Sequence, residues 1–148
     1  MKTVKVNDRL SIGSQPNLSD FNVLRDFGFL SVISNRPDGE EPGQLTAEGA
    51  SLEAEAAGLG YGFQPVTLNA ITEGDVRKFQ QHVAKLEGPV FAHCRSGTRS
   101  LTLWILGEVL DGRMAPSEII PFGRQFGVDL NVAAQWAANH ANANGEKL

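Results

Sequence analysis

Apolar residues follow two alternating rhythms along the chain. Short apolar runs alternate with stretches where apolar residues recur every three or four positions. Leu10-Ser11-Ile12-Gly13, Leu30 to Ser34 and Tyr61 to Val66 read as strands, and Pro89 to His93 reads as the central one. Phe21, Leu24 and Phe27 fall at helical spacing behind a cap in Asn17 to Asp20. Thr46 caps a helix to about Leu59, with Leu52, Ala56 and Leu59 on one side and Gly60 as its stop. Thr72 and Asp75 resemble a capping box with Asp in place of Glu. Val76, Phe79, Val83 and Leu86 mark the face of the helix they open, which Gly88 breaks. Arg99 to Leu110 is apolar on most sides, so that helix is expected to be buried. Pro116 starts another, and Asn131 caps a last one through Trp136. The polar tail after Asn139 is expected to fray. Asn35 to Gln44 holds two Pro and two Gly and reads as a loop.

This alternation predicts a three-layer α/β fold with a mostly parallel sheet between helices. The 148 residues suit one domain over 1–148, without repeat or linker. Hydrophobic residues make up 41% and charged residues 20%, an ordinary globular balance. The net charge of −4 offers no basic field for nucleic acid or membrane, so an anion site must be local. The N-terminus has no apolar h-region, and Leu101 to Leu110 is too short to span a bilayer. One cysteine rules out an internal disulfide. These features point to a cytoplasmic protein with one thiol of interest.

That thiol lies in His93-Cys94-Arg95-Ser96-Gly97-Thr98-Arg99-Ser100, between the best strand and the most apolar helix. Ligands of open α/β sheets bind at the carboxyl ends of strands. A strand-to-helix loop turns its N–H groups into an anion-binding nest, and the helix N-terminus adds partial positive charge. Gly97 permits a turn that a Cβ would obstruct. Arg99 supplies a planar donor fork for an oxyanion, and Arg95 a second charge. Such a setting stabilises a thiolate, which makes Cys94 the candidate nucleophile and Arg99 its candidate catalytic partner. Arg95, Ser96, Gly97, Thr98 and Ser100 are candidate substrate-binding residues, with Ser100 able to donate to the thiolate. His93 reads as a structural histidine holding the loop rather than a base. His82 and His140 receive no role. No cluster has the spacing of a metal site, and no cofactor is expected.

The residues quoted above, with Gly13-Ser14-Gln15-Pro16 and Val32 to Glu40, make the chain recognisable. It resembles the phosphatase-like family found alone or fused to metallo-β-lactamase-type persulfide dioxygenases. That family is similar in fold to dual-specificity and tyrosine phosphatases. The resemblance implies a central parallel sheet of four or five strands flanked by helices, with a persulfide dioxygenase as a possible partner.

Two departures from the phosphatase pattern bear on chemistry. Phosphatases of this fold place five residues between the cysteine and the arginine; here four separate Cys94 from Arg99. Cys94-Arg95-Ser96-Gly97-Thr98-Arg99 looks like the active loop of rhodaneses. The segment Pro65 to Thr72, where such phosphatases carry an aspartate general acid, holds no carboxylate. Asp38, Glu40 and Glu41 would supply one only if their loop folds over the site; solvated loop charge is the default. The favoured expectation is therefore a sulfurtransferase that forms a persulfide on Cys94 from a small anionic sulfane sulfur donor. The alternatives are phosphoester hydrolysis through a cysteinyl-phosphate, and a non-catalytic anion- or phosphopeptide-binding module.

Overall fold

The computed structural model describes residues 1–143. Five strands form one sheet: β1 (Thr3–Lys5), β2 (Leu10–Gly13), β3 (Ser31–Ser34), β4 (Gly60–Phe63) and β5 (Val90–His93). Their spatial order is β1-β2-β5-β3-β4. β5 lies in the middle, parallel to β2 and β3, with His93 opposite Gly13 on one side and Ser34 on the other. Three carboxyl ends therefore meet at one edge. β4 extends the sheet in parallel beyond β3, and β1 closes the far side antiparallel to β2.

Alternation along the strands divides the core. Val32 and Phe91 face one side, where Phe21 and Leu24 of α1 (Asp20–Asp26) and Ala50 and Ala54 of α2 (Ala47–Ala56) cover them. Ile12, Ile33, Val90 and Ala92 face the other. That side is covered by α3 (Glu73–Lys85), α4 (Thr98–Leu110), α5 (Ile119–Gln125) and α6 (Asn131–Ala143). The result is the expected three-layer α/β fold with a mostly parallel sheet. Helix α4 is the buried one, with seven buried residues from Ser100 to Gly107.

Several local expectations change. Phe27 follows the last turn of α1 and is 72% exposed, so only Phe21 and Leu24 anchor that helix. In α2, Leu52 points outward, because the small Ala50 and Ala54 let the helix sit close to the sheet. Gly58, at φ +76°, turns the chain after α2, and Gly60 begins β4 instead of stopping the helix. Strand β4 ends at Phe63, short of Val66. Pro116 opens a 3₁₀ turn (Pro116–Glu118) before α5. Helix α6 continues past Trp136 and Asn139 to Ala143; the rest of the expected frayed tail lies outside the described residues. Strand β1 carries one buried residue, Val4, too little for a periodic signal.

Candidate active site

The chain leaves β5 at His93, passes Cys94 and turns through Arg95, Ser96 and Gly97 into α4. Cys94 is buried at the bottom of this turn. Gly97 has φ +107°, which L side chains rarely adopt, and it is the N-cap of α4. That conformation directs its N–H at the sulfur, Gly97 N to Cys94 Sγ being 3.1 Å. The end of β2 backs the turn: a Cβ on Gly97 would lie 3.5 Å from the Gly13 carbonyl oxygen. Gln15 N–H donates to the Arg95 carbonyl at 3.0 Å.

Asn35, fully buried just past β3, ties the site together. Its N–H donates to the His93 carbonyl at 2.7 Å. Its side-chain amide donates to Gln64 O at 3.0 Å, and its Oδ1 accepts from Ser100 Oγ at 2.8 Å. The Ser100 proton is thereby directed at Asn35, not at the thiolate as the sequence had led us to expect. His93 Nδ1 lies 3.1 Å from the Cys94 carbonyl. Burial pulls its pKa down to about 4, so the ring is neutral at physiological pH.

The loop after β3 folds over this cradle. Glu40 grips the terminal edge of the Arg99 guanidinium, with Nη1 to Oε2 at 2.7 Å and Nη2 to Oε1 at 2.9 Å. Arg99 Nη1 also donates to Val66 O at 3.3 Å. Three of the five guanidinium N–H groups are thus committed. Those on Nε and the second on Nη2 form the other edge of the plane. The hydrogen bond with Glu40, and to a lesser extent Cys94, holds Arg99 more firmly protonated than usual against the opposing effect of burial.

Glu40 is shared with a second arginine. Arg36 is 3% exposed and donates to Glu40 at 2.9 Å, to Glu41 at 2.8 Å and to Gln15 Oε1 at 3.3 Å. The sequence reading missed Arg36 as a site residue. Its signal was a charge two residues beyond a buried strand, at the carboxyl edge beside the central strand. The bond to Arg99, helped by Arg36, pulls Glu40 down to about pKa 2 against the effect of burial. Arg36, and then Arg95, hold Glu41 below the usual carboxylate range. Both side chains reach the site, but as anions rather than proton donors. Asp38 points elsewhere and accepts the Ala47 N–H at the start of α2, 2.8 Å away.

The segment between β4 and α3 brings only the Val66 carbonyl to Arg99. Asp75 completes the capping box with Thr72 at 2.9 and 3.1 Å. Arg95 is 65% exposed, with Nη2 3.4 Å from Glu41. Beside the loop lies an open groove of about 650 Å³, lined by Lys2, Ser14, Arg95, Ser96, Thr98 and Asp129 among others. Among the described residues no group of three His, Cys, Asp or Glu is placed to hold a metal ion. None of their helices is long and apolar enough to cross a membrane.

A central parallel strand ending in a cysteine, a tight loop with an N–H on the sulfur, and a buried helix opening beside an arginine define a cysteine-phosphatase-like domain. The chain belongs to the family of phosphatase-like domains of beta-lactamase hydrolase-like proteins, whose model matches residues 2–111. A beta-lactamase hydrolase-like protein of Agrobacterium fabrum is 52% identical over 143 residues, covering 97% of this chain and 33% of that one. The chain thus spans about a third of the length of the curated relatives it matches. A solved candidate phosphatase from Neisseria meningitidis is 34% identical with a TM-score of 0.82, over 91% of this chain and 95% of that one. The catalytic domain of a PP-IP phosphatase from S. cerevisiae superposes with a TM-score of 0.71 at 16% identity, over 97% and 92% of the two chains, a likeness of fold alone. The domain is a phosphatase-like enzyme domain.

Proposed function

We propose that the chain hydrolyses phosphoesters, with Cys94 as nucleophile and Arg99 as the principal anion-binding group. The observation that carries this reading is the edge of Arg99 that Glu40 leaves uncovered. With Glu40 on one edge of the guanidinium, the Nε and Nη2 hydrogens remain as a parallel pair. Such a pair matches two oxygens of a phosphoryl group. The single outer sulfur of a persulfide would use only one of them. Membership of a phosphatase-like family supports the same chemistry over sulfur transfer.

In this reading the Gly97 N–H, 3.1 Å from the Cys94 sulfur at the N-terminus of α4, orients the nucleophile. The thiolate attacks phosphorus, the S–P bond forms, and the P–O bond breaks with its electron pair leaving on oxygen. Water then attacks phosphorus, releases dihydrogen phosphate and restores the thiolate. Arg99 and the loop amides stabilise the charge on the equatorial oxygens in both steps. Arg95, Ser96 and Thr98 line the entrance.

Sulfur transfer is the second reading, favoured by one feature: only four residues separate Cys94 from Arg99. The two reactions separate in one experiment on the purified protein, with Cys94→Ser as control. An aryl phosphate is expected to release phosphate in a Cys94-dependent reaction, with no stable mass gain from thiosulfate. Sulfur gain on Cys94 and thiocyanate formation with cyanide, without phosphate release, overturn the phosphatase reading.

A further inference from the structure

Every carboxylate near the nucleophile is already engaged. Glu40 spans Arg99 and Arg36, Glu41 pairs with Arg36 and Arg95, Asp38 caps α2, and Asp75 caps α3. The loop between β4 and α3 contributes a backbone carbonyl to the site and no acid. Ser100 Oγ donates to Asn35. The buried His93 ring faces the Cys94 carbonyl rather than the mouth of the cradle. None of these groups stands ready to hand a proton to a departing oxygen.

The groove beside the loop adds a second observation. Lys2 and Arg95 bring two positive charges to it, Arg95 being also paired with Glu41 at 3.4 Å, and Ser14, Ser96 and Thr98 bring hydroxyl groups. Lys2 Nζ uses one of its three donors on the Phe126 carbonyl at 3.2 Å. The one carboxylate in the groove, Asp129, accepts the Asn131 N–H at the start of α6. The groove thus offers positive charge and hydrogen bonds to an anion beside the loop that follows Cys94.

Resting on the phosphatase reading, we infer that the substrate is a phosphoanhydride, whose leaving group is itself a phosphate seated in the Lys2–Arg95 groove. The Cys94 thiolate attacks the terminal phosphorus, and the bridging P–O bond breaks with its electron pair on the departing phosphate. That phosphate leaves as an anion and requires no proton, because a phosphate monoester has a pKa of about 6. An aliphatic alkoxide, close to water at about 15.7, would require one. Hydrolysis of the cysteinyl-phosphate then proceeds with Cys–S–PO₃²⁻ and H₂O giving Cys–S⁻ and H₂PO₄⁻, balanced in atoms and charge.

The test measures kcat/KM for three probes with the whole chain: aryl phosphates of graded phenol acidity, inorganic pyrophosphate, and glycerol phosphate. The expected result is a steep fall in rate as the phenol becomes less acidic. Pyrophosphate is expected to exceed glycerol phosphate by at least about a hundredfold, the lower end of what one positioned proton donor supplies. Lys2→Gln is expected to lower the ratio of pyrophosphate to aryl phosphate by about fivefold, the scale of one solvent-facing charge contact. A shallow dependence on phenol acidity, with glycerol phosphate hydrolysed as well as pyrophosphate, overturns the inference and leaves the phosphatase reading standing. An unchanged ratio in Lys2→Gln removes the groove from it. No phosphate release from any probe overturns the phosphatase reading itself, and the inference with it.

Discussion

At the scale of single residues, the site is organised by one carboxylate between two arginines. Glu40 cannot serve as an acid while Arg99 holds it ionised, but it occupies the terminal edge of the Arg99 guanidinium and leaves the Nε edge uncovered. Replacing it with glutamine leaves a similar shape without the charge. Turnover of an aryl phosphate by Glu40→Gln is expected to fall by about a hundredfold, the cost of about 1 Å of misplacement. Stability carries the same signature. The carboxylate's pKa is lowered in the folded chain from 4.5 to about 2, so the unfolded chain takes up its proton first as pH falls. The stabilisation is therefore complete above about pH 4.5 and is lost between 4.5 and 2. Urea midpoints for wild type and Glu40→Gln should differ at pH 6 and converge near pH 2; a constant gap across that range refutes the assignment. The sequence made Cys94 and Arg99 visible because the motif is contiguous. Arg36 and the clamp by Glu40 stayed hidden because their partners lie on a different loop, and a fold is needed to bring them together.

At the scale of elements, signals written into consecutive residues were legible, and signals that depend on neighbours were not. The Thr72–Asp75 capping box forms as read, because both reciprocal bonds lie within four residues. The buried side of α2 was misread, because closeness to the sheet depends on Val32 and Phe91, far away in sequence. Strand β1 needed β2 as a template. Two substitutions separate scaffold from site. Thr72→Ala removes a cap and should cost about 1 kcal/mol, or about 2–4 °C in Tm, with turnover unchanged. Gly97→Ala must hold a Cβ at φ +107°, a strain of about 1–3 kcal/mol, and relief of that strain turns the N–H away from Cys94. It should lose stability and turnover together. Equal turnover in the two variants would show that the Gly97 N–H does not matter to the reaction.

At the scale of the whole molecule, a chain of net charge −4 keeps its anion site local. The carboxyl ends of β2, β5 and β3, together with the N-terminus of α4, converge there, while the core lies in two separate layers on the faces of the sheet. Anion binding should therefore stabilise the fold through the loop alone. A ligand present at a hundred times its dissociation constant adds about 2.7 kcal/mol when it binds only the folded state. For a chain of this size that amounts to a rise of about 5–10 °C in Tm. Inorganic phosphate, titrated to saturation, should produce that rise in the wild type. Thr72→Ala should show the same rise from a lower starting point, because its loop is intact. Arg99→Lys should lose most of it, since an ammonium cannot hold Glu40 and offer a parallel donor pair at once. A full phosphate-dependent rise in Arg99→Lys would place the anion elsewhere on the molecule, with the Lys2–Arg95 groove the next site to examine.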